Sequence, residues 1–315
     1  MTPHPSATRK RRVRQSHRWF GTFLTLVLVC GCAKSVPVVG EPPPVGQDQR
    51  LAPSTIKVAS WNIQWLHART GAGVIARQEV DYARLREYAR GLNADIVALQ
   101  EVNGPEAAAR VFDPEEYAFH FPQRPQVQST GFAYRRSLDV TVLPDVTSLA
   151  LEHLRPGVDL VVRVGGRELR LLAIHLKAGC PRGNLQRPSR SCTKLRRQLV
   201  ELERWVDARA QEETPFVVLG DFDRRLAGTD ALWAELDDGE PANAILSAPA
   251  RHQRSVCWGE SPRHFIDHIV LDRLASTWTQ AGSFREMMYA PSDAAHKRTL
   301  SDHCPVSLTL KAPGR

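Results

Sequence analysis

Short apolar runs rich in β-forming residues recur along the chain, and they restrict its fold more than any other feature. They are Ile56–Trp61, Asp95–Gln100, Gly131–Tyr134, Val158–Val164, Leu169–Leu176, Phe216–Leu219, Ile266–Leu271 and Val306–Leu310. Between these runs, apolar residues return every three or four positions, which is the spacing of one helix face. The two clearest examples are Leu85, Tyr88, Ala89, Leu92 and Leu195, Leu199, Leu202, Val206. Strands mixed with helices, without an internal repeat, predict a single α/β domain over 55–312.

The first 32 residues have the pattern of an export signal. Basic residues precede an apolar run from Trp19 to Cys30, which is shorter than the ~20 residues that cross a bilayer. The end of the run, Val29-Cys30-Gly31-Cys32, resembles the lipobox of bacterial lipoproteins. The resemblance implies a signal peptide over 1–32 and a lipid anchor on Cys32, with an ordinary cleaved secretory signal as the alternative. Because Ala33-Lys34 lacks the aspartate used for inner-membrane retention, we expect an exported protein anchored in the outer membrane and facing the periplasm.

The excess of positive charge belongs mostly to this leader. The formal net charge is +8, but residues 1–32 hold six basic residues and no acidic one, so 36 basic and 34 acidic residues remain after them. The overall charge therefore says little about partners, and only local clusters of charge are informative. Residues 33–54 are rich in proline and lack hydrophobic periodicity, which predicts a tether between the anchor and the domain.

Four cysteines remain beyond the leader, and an exported protein can keep them as disulfides. Three pairings are formally open. Cys180 and Cys192 bracket a loop without regular periodicity, so we predict their local closure, and a bond between Cys257 and Cys304 then follows by subtraction. A zinc site is the alternative, but the chain contains no CxxC pair.

Polar side chains interrupt the apolar runs near the ends of four predicted strands. Asn62 follows Val-Ala-Ser-Trp, Glu101 follows Val-Ala-Leu-Gln, His175 follows Leu-Leu-Ala-Ile and Asp221 follows Val-Val-Leu-Gly. A single residue of this kind is usually a turn former or a cap. Several carboxylates at one sheet edge repel one another unless a cation lies between them, and oxygen-rich sites suit Mg²⁺, Mn²⁺ or Ca²⁺.

Six short motifs in order resemble the endonuclease/exonuclease/phosphatase superfamily. They are Ser60-Trp61-Asn62-Ile63-Gln64, Leu99-Gln100-Glu101-Val102, Ile174-His175-Leu176-Lys177, Leu219-Gly220-Asp221-Phe222-Asp223, Ile266-Asp267-His268 and Leu300-Ser301-Asp302-His303-Cys304-Pro305. The resemblance runs from about residue 56 to residue 310. It implies an α/β fold with four layers, in which two mixed sheets pack face to face and helices cover the outside.

The resemblance also implies a metal site. Glu101 would be the principal ligand of Mg²⁺, or alternatively of Mn²⁺ or Ca²⁺, and Asn62 and Asp302 would complete or orient the shell of the metal and the phosphate. Such an ion neutralises charge on phosphate oxygens and activates water.

The same resemblance implies the catalytic residues. Asp221 would position and deprotonate the attacking water, and His175 would lie over the phosphate near the leaving group. His303, hydrogen-bonded to Asp267, would bind the scissile phosphate as an imidazolium or act as the base. A structural salt bridge is the alternative for Asp267 and His303.

One position departs from the family pattern. The family usually has asparagine two residues after the catalytic aspartate, where the amide donates a hydrogen bond, and this chain has Asp223. An ionised carboxylate cannot donate. We expect Asp223 to be protonated or to face the metal, the alternative being weakened catalysis.

The segment after His175 carries a cluster of positive charge. Between Gly179 and Val200 there are six basic residues and no acidic one. We predict that Arg182, Arg187 and Arg190, together with Lys177, bind phosphates beyond the scissile one, as a polyanion requires. A solvated surface loop is the alternative.

These features favour a Mg²⁺-dependent hydrolase of phosphoesters, and in particular a nuclease without sequence preference. The first alternative is a phosphatase or sphingomyelinase-like diesterase acting on inositol phosphates or lipid head groups, which a membrane anchor would suit. The second is a catalytically silent protein that binds phosphorylated partners. No sequence feature indicates an oligomer, so we expect a monomer.

Overall fold

The computed structural model describes residues 53–124 and 128–314. The predicted signal peptide, the lipidation site Cys32 and all but the last two residues of the predicted tether lie outside the described residues. The strands are β1 (Thr55–Leu66), β2 (Ile96–Val102), β3 (Tyr117–His120), β4 (Ser129–Arg135), β5 (Val140–Val142), β6 (Val158–Val164), β7 (Arg167–His175), β8 (Phe216–Asp221), β9 (Leu246–Ser247), β10 (Asp267–Asp272), β11 (Arg285–Glu286) and β12 (Val306–Lys311). The α-helices are α1 (Glu79–Leu92), α2 (Pro105–Ala108), α3 (Arg190–Gln211), α4 (Ala231–Leu236) and α5 (Arg273–Ser276).

The strands form two mixed sheets of six strands each. Sheet A has the order β11-β12-β1-β2-β4-β3, and sheet B has the order β5-β6-β7-β8-β10-β9. Each sheet contains one parallel pair at its centre, β1 with β2 in sheet A and β7 with β8 in sheet B. Because parallel strands end at the same edge, each pair brings two carboxyl ends together.

Three apolar clusters give the layers of the molecule. The largest joins the inner faces of the two sheets and includes Val58 and Phe132 from sheet A and Leu160 and Leu171 from sheet B. A second cluster packs α3 and α4 on the outer face of sheet B, and a third packs α1 and α2 on the outer face of sheet A. The predicted four-layer sandwich of two mixed sheets with helices outside is therefore confirmed.

Both long helices contain the predicted apolar faces, and local contacts mark their first turns. Helix α1 starts after Gln78, whose backbone amide donates to Oδ2 of Asp81 at 2.8 Å, and its last residue is followed by Asn93, which adopts a left-handed conformation. Helix α3 starts after Ser189, whose hydroxyl accepts a hydrogen bond from the amide of Cys192. No helix within 53–124 and 128–314 is long and apolar enough to cross a membrane.

Both predicted disulfides are present. Cys180 is bonded to Cys192, across a separation of 12 residues, and Cys257 is bonded to Cys304, across 47 residues. The first bond ties the loop after β7 to the start of α3. The second ties a loop before β10 to the segment before β12.

Candidate active site

Sheet B places three of the predicted site residues side by side. His175 at the end of β7 is paired in register with Asp221 at the end of β8, and Asp221 is paired with Asp267 at the start of β10. Residues paired across neighbouring strands project from the same face of a sheet. All three side chains are at least nine-tenths buried.

Close packing of β7 and β8 holds His175 next to Asp221. A Cβ atom on Gly220, next to Asp221, would lie 2.0 Å from the carbonyl oxygen of Ile174, next to His175. Only glycine allows β7 and β8 to approach this closely.

Sheet A places its site residues at two irregularities. The register of β1 and β2 shifts between Asn62 and Leu66, and the register of β2 and β4 shifts between Leu99 and Val102, the interval that contains Glu101. Glu101 has a φ of 59°, in the left-handed region that non-glycine residues rarely adopt. Bulges and unusual backbone conformations next to functional sites redirect side chains, and here they present Asn62 and Glu101 to sheet B.

Asn62 joins the two halves of the site. Its Nδ2 donates to Oδ2 of Asp221 at 3.0 Å, and its Oδ1 accepts from the amide of Gln64 at 2.9 Å. The other oxygen of Asp221 accepts from the amide of Asp223 at 2.7 Å. Asp221 is therefore held in one orientation by a side chain from sheet A and by its own loop.

His303 forms a close pair with Asp267. Its Nδ1 donates to Oδ2 of Asp267 at 2.8 Å, and its Nε2 lies 3.8 Å from Oδ2 of Asp221. Burial opposes the charged imidazole, but the carboxylates of Asp267 and Asp221 outweigh burial and raise the pKa of His303 well above its usual range. His303 is therefore an imidazolium whose free nitrogen faces the site.

His175 lies among carboxylates and yet is neutral. Its Nε2 is 3.4 Å from Oδ2 of Asp223, 3.7 Å from Oδ2 of Asp221 and 3.9 Å from Oε1 of Glu101. Burial lowers the pKa of His175 well below its usual range, and the charge of Arg155 acts in the same direction.

The donor atoms of the site fit a divalent cation. Burial raises the pKa of Glu101 and of Asp223, as expected for carboxyl groups that share a poorly solvated site. Possible ligand atoms form two sets, and within each set all atoms lie within 4.8 Å of one another. The first set comes from His175, Asp221 and Asp223, and the second from Asp221, Asp267 and His303. A cation among these oxygens would relieve the repulsion between the carboxylates.

The three residues predicted as metal ligands occupy different places around these sets. Oε1 of Glu101 lies 3.9 Å from Nε2 of His175, so this carboxylate borders the first set. The side chain of Asp302 is 56% exposed, and its Oδ1 is 4.0 Å from Nε2 of His303, so it lies at the rim. Cys257 and Cys304 also converge with Glu286, but both sulfur atoms are in a disulfide and are not available as thiolate ligands.

Asp223 has an unusual environment. Its φ is 51°, and its Oδ2 is buried without a hydrogen-bond partner among the residues that the structure describes. Burial raises its pKa, against the charges of Arg155, His303 and Lys177. The expectation that Asp223 is protonated or faces a metal stays a prediction.

Arg155 is a site residue that the motifs do not reveal. It donates from Nη2 to the carbonyl of Leu176 at 2.8 Å, and its positive charge acts on Asp223, Asp221 and Glu101. It lies between two helical turns and β6, in a Leu-Arg-Pro segment without a motif. Sequence carries no signal for it, because an isolated arginine in a loop is ordinary.

Arg77 is a second residue that the motifs do not reveal, and it supports the backbone of two segments of the site. Its fully buried guanidinium donates to the carbonyls of Ile63, Gln64 and Trp65 after Asn62. It also donates to the carbonyls of Thr299 and Leu300, just before Asp302 and His303. One side chain thus links the two segments that carry these site residues.

The four predicted phosphate-binding residues are not equivalent. Lys177 donates to the carbonyl of Ala178 at 2.7 Å, and its charge acts on Asp223. Arg182 lines a cavity next to the site, whereas Arg187 and Arg190 are exposed and do not line that cavity.

The two sheets present buried carboxylates, an amide and a histidine–aspartate pair at the place where strands of both sheets end. This is the architecture of metal-dependent phosphoesterases. The chain belongs to the Endonuclease/Exonuclease/phosphatase family, whose model matches residues 59–303. It is therefore a hydrolytic phosphoesterase of a family that depends on divalent metals. No curated protein sequence matches the chain.

Solved structures share the fold at low sequence identity. An endonuclease/exonuclease/phosphatase from Bacteroides vulgatus is 14% identical with a TM-score of 0.59, covering 82% of this chain and 99% of the other. A humanized D. rerio TDP2 is 19% identical with a TM-score of 0.57, covering 82% and 100%. The 3′ phosphatase NExo from Neisseria, bound to a product DNA hairpin, is 14% identical with a TM-score of 0.54, covering 81% and 99%.

Proposed function

We propose that this phosphoesterase is a nuclease that uses Mg²⁺ to hydrolyse nucleic-acid phosphodiesters by attack of an activated water, without sequence preference. The observation that carries the proposal is the convergence on Asp221, whose Oδ2 lies 3.0 Å from the amide of Asn62, 3.7 Å from His175 and 3.8 Å from His303. One buried carboxylate is thus surrounded by the groups that phosphoester hydrolysis needs.

Each group has a task that its environment supports. Asp221 is fixed by Asn62 and by the amide of Asp223, so it can orient the attacking water and accept its proton. The imidazolium of His303 is attracted to a phosphate oxygen and stabilises the charge that develops there. His175, which is neutral, would lie near the leaving oxygen.

A divalent cation held by Glu101, with Asn62, Asp223 or Asp302 as further ligands, would supply charge neutralisation on the phosphate. The mixture of carboxylate and amide oxygens suits Mg²⁺ or Mn²⁺. In this proposal Asp223 binds the cation or is protonated, and in either form it does not repel the phosphate.

Two observations support nucleic acid as the substrate. The cavity next to the site is lined by arginine side chains, which favour a polyanion. A protein with the same fold is bound to a DNA hairpin. Because that protein is a 3′ phosphatase, removal of a terminal phosphate from DNA is the second candidate.

One assay separates these activities. The oxidised protein without its signal peptide is incubated with supercoiled plasmid, RNA, a DNA oligonucleotide ending in a 3′ phosphate, and sphingomyelin, each with Mg²⁺ or EDTA. We expect Mg²⁺-dependent nicking of the plasmid and cleavage of RNA. Release of inorganic phosphate alone would establish the phosphatase, and turnover of sphingomyelin alone would establish the lipid diesterase.

The assay needs a control for contaminating nucleases. His303→Asn, purified in parallel, should abolish nicking while it keeps the far-ultraviolet circular dichroism of the wild type. If neither protein turns over any substrate but both bind phosphate ligands, the protein is a silent binder and the proposal is wrong.

We also propose that the protein is exported as a monomer, anchored through Cys32 to the outer membrane and facing the periplasm. The support is the lipobox-like sequence Val29-Cys30-Gly31-Cys32. Cys32→Ser should move the protein from the membrane fraction to the soluble fraction. An unchanged distribution would contradict the anchor.

A further inference from the structure

We propose that the cavity between the first disulfide loop (residues 180–192) and the segment after Asp223 is a second anion subsite, which holds the phosphate next to the scissile one. We call it the flanking subsite. The proposal deepens the nuclease function and rests on it, since it defines the substrate as a strand with at least two phosphates. The cavity has a volume of about 570 Å³ and is lined by Arg182, Asn184, Arg225, Thr229, Asp230 and His264, with intervening small residues.

The flanking subsite is continuous with the active site. A cavity of about 310 Å³ contains Asp267, Asp302 and His303 in its wall. Arg225 and His264 line this cavity and the flanking subsite as well. An anionic chain that places one phosphate against His303 can therefore pass along Arg225 and His264 without leaving the surface.

The positive charge of the flanking subsite is not neutralised within the protein. Arg182 and Arg225 form no side-chain ion pair within 53–124 and 128–314, and Nδ1 of His264 is buried without a hydrogen-bond partner there. The subsite does contain one acid, Asp230. Both of its carboxylate oxygens are engaged by the buried guanidinium of Arg224, at 2.9 and 2.8 Å, so its charge is already balanced.

Neighbouring basic side chains, unlike Arg182 and Arg225, are paired with carboxylates. Arg263 and Lys297, in the wall of the other cavity, both pair with Glu260. Lys194 and Arg197, further along the basic segment, both pair with Glu152, at 2.7 and 2.8 Å. An added phosphate would have to compete with these carboxylates, whereas at Arg182 and Arg225 it would meet unpaired guanidinium groups.

Hydrogen bonds join the two walls of the flanking subsite. Arg224 is fully buried and donates to the carbonyls of Cys180 at 2.8 Å and Gly183 at 2.5 Å. The amide of Arg225 donates to the carbonyl of Pro181 at 3.0 Å. Because Arg224 directly follows Asp223, these bonds hold the disulfide loop at a fixed position relative to the catalytic strand end, and a preorganised site loses little entropy on binding.

The test removes the two unpaired charges. Arg182→Ala with Arg225→Ala is compared with a control, Arg204→Ala with Arg90→Ala, which removes two exposed arginines elsewhere. Three ligands are used: a single-stranded oligonucleotide, the one-phosphate diester bis(p-nitrophenyl) phosphate, and tripolyphosphate. Turnover is measured with Mg²⁺, and binding of labelled oligonucleotide and of tripolyphosphate is measured in EDTA.

We expect the double variant to raise KM for the oligonucleotide about tenfold or more and to lower turnover of the one-phosphate diester by a clearly smaller factor. Its binding should lose about 0.7 from the slope of log K against log salt, since the flanking subsite holds one phosphate and each phosphate contact on a single strand contributes about 0.7. The binding of tripolyphosphate should weaken in parallel, while the control double variant behaves as wild type.

Two results would overturn the flanking subsite. The first is wild-type affinity and salt slope for both polyanions in the double variant. The second is an equal loss on bis(p-nitrophenyl) phosphate, which would place the two arginines at the scissile phosphate. If the wild type binds both polyanions through these arginines and yet cleaves no nucleic acid, the nuclease proposal fails and the subsite remains.

Discussion

His175 and His303 lie on either side of one carboxylate and are held in opposite protonation states. Their Nε2 atoms are 3.7 and 3.8 Å from the same oxygen of Asp221. Burial keeps His175 neutral, whereas Asp267 at 2.8 Å makes His303 a cation. Groups of one type whose environments separate their pKa values can perform different tasks in one reaction.

The first prediction concerns the source of the charge on His303. Asp267→Asn keeps the shape of the pair but removes the negative charge next to the ring. We expect kcat to fall by about 10²–10⁴-fold with little change in KM. The matched control is Asp139→Asn, an exposed acid at 3.5 Å from Arg163. Retention of more than half of the activity in Asp267→Asn would show that this pair is only a structural salt bridge.

The second prediction concerns Asp223, which replaces the family's usual asparagine. Asp223→Asn replaces with an amide the carboxylate whose Oδ2 lies 3.4 Å from Nε2 of His175. We expect at least a tenfold loss of activity together with about 10–100-fold weaker metal binding, measured by titration with Mn²⁺. A gain of activity of tenfold or more would instead show that the carboxylate is a handicap to catalysis.

At the level of single residues, the motifs predicted much of the site, but they did not predict the arginines that hold it in place. Asn62, Glu101, His175, Asp221, Asp267 and His303 converge as their order in the chain implied. Arg77, Arg155 and Arg224 could not be predicted, because each is one arginine in an irregular segment. Their importance depends on which carbonyls and carboxylates surround them after folding.

Among the elements, strands β7 and β8 carry the strictest packing requirement. Each ends in a site residue, and Gly220 allows their backbones to approach within contact distance. Any side chain at this position would separate the strands and displace His175 from Asp221. The alignment of two site residues thus depends on one residue that takes no part in the chemistry.

The third prediction tests this requirement. Gly220→Ala should lower the free energy of unfolding by about 3 kcal/mol, measured by denaturant titration, because the new methyl group collides with backbone. Activity per folded molecule should fall as well. Gly91→Ala is the control, since a Cβ there is 3.5 Å from Met287 and alanine is the better helix former. Equal stability of the two variants would contradict the packing argument.

The elements themselves were largely predictable from the sequence. All eight apolar runs are strands, and both periodic segments are helices. The strands that were not predicted are β3, β5, β9 and β11, each two to four residues long and each near or at an edge of its sheet. Short edge strands bury few side chains, so the pattern of alternating or continuous apolar residues is too brief to detect.

For the molecule as a whole, the two disulfides are expected to serve different purposes. Cys257–Cys304 closes the longer loop, with a separation of 47 residues, and Cys180–Cys192 closes a loop of 12 next to the flanking subsite. In the chain-entropy model these bonds stabilise the fold by about 4 and about 3 kcal/mol, respectively.

The fourth prediction separates stability from substrate binding. Replacing both Cys257 and Cys304 by serine should cause the larger loss of stability. Replacing both Cys180 and Cys192 by serine should cause the larger rise in KM for an oligonucleotide, because the loop that carries Arg182 loosens. Thermal unfolding and steady-state kinetics of the two variants check this, and the reverse ranking of KM would contradict it.

The candidate site is divided between the two sheets. Sheet A contributes Asn62 and Glu101, and sheet B contributes His175, Asp221 and Asp267. The hydrogen bond from Asn62 to Asp221 connects the two groups. A half-folded chain, with one sheet complete and the other still open, consequently has no means of attacking phosphorus. We expect hydrolysis to begin only when the two sheets stack, so a newly made molecule leaves nearby phosphoesters intact until its folding is finished.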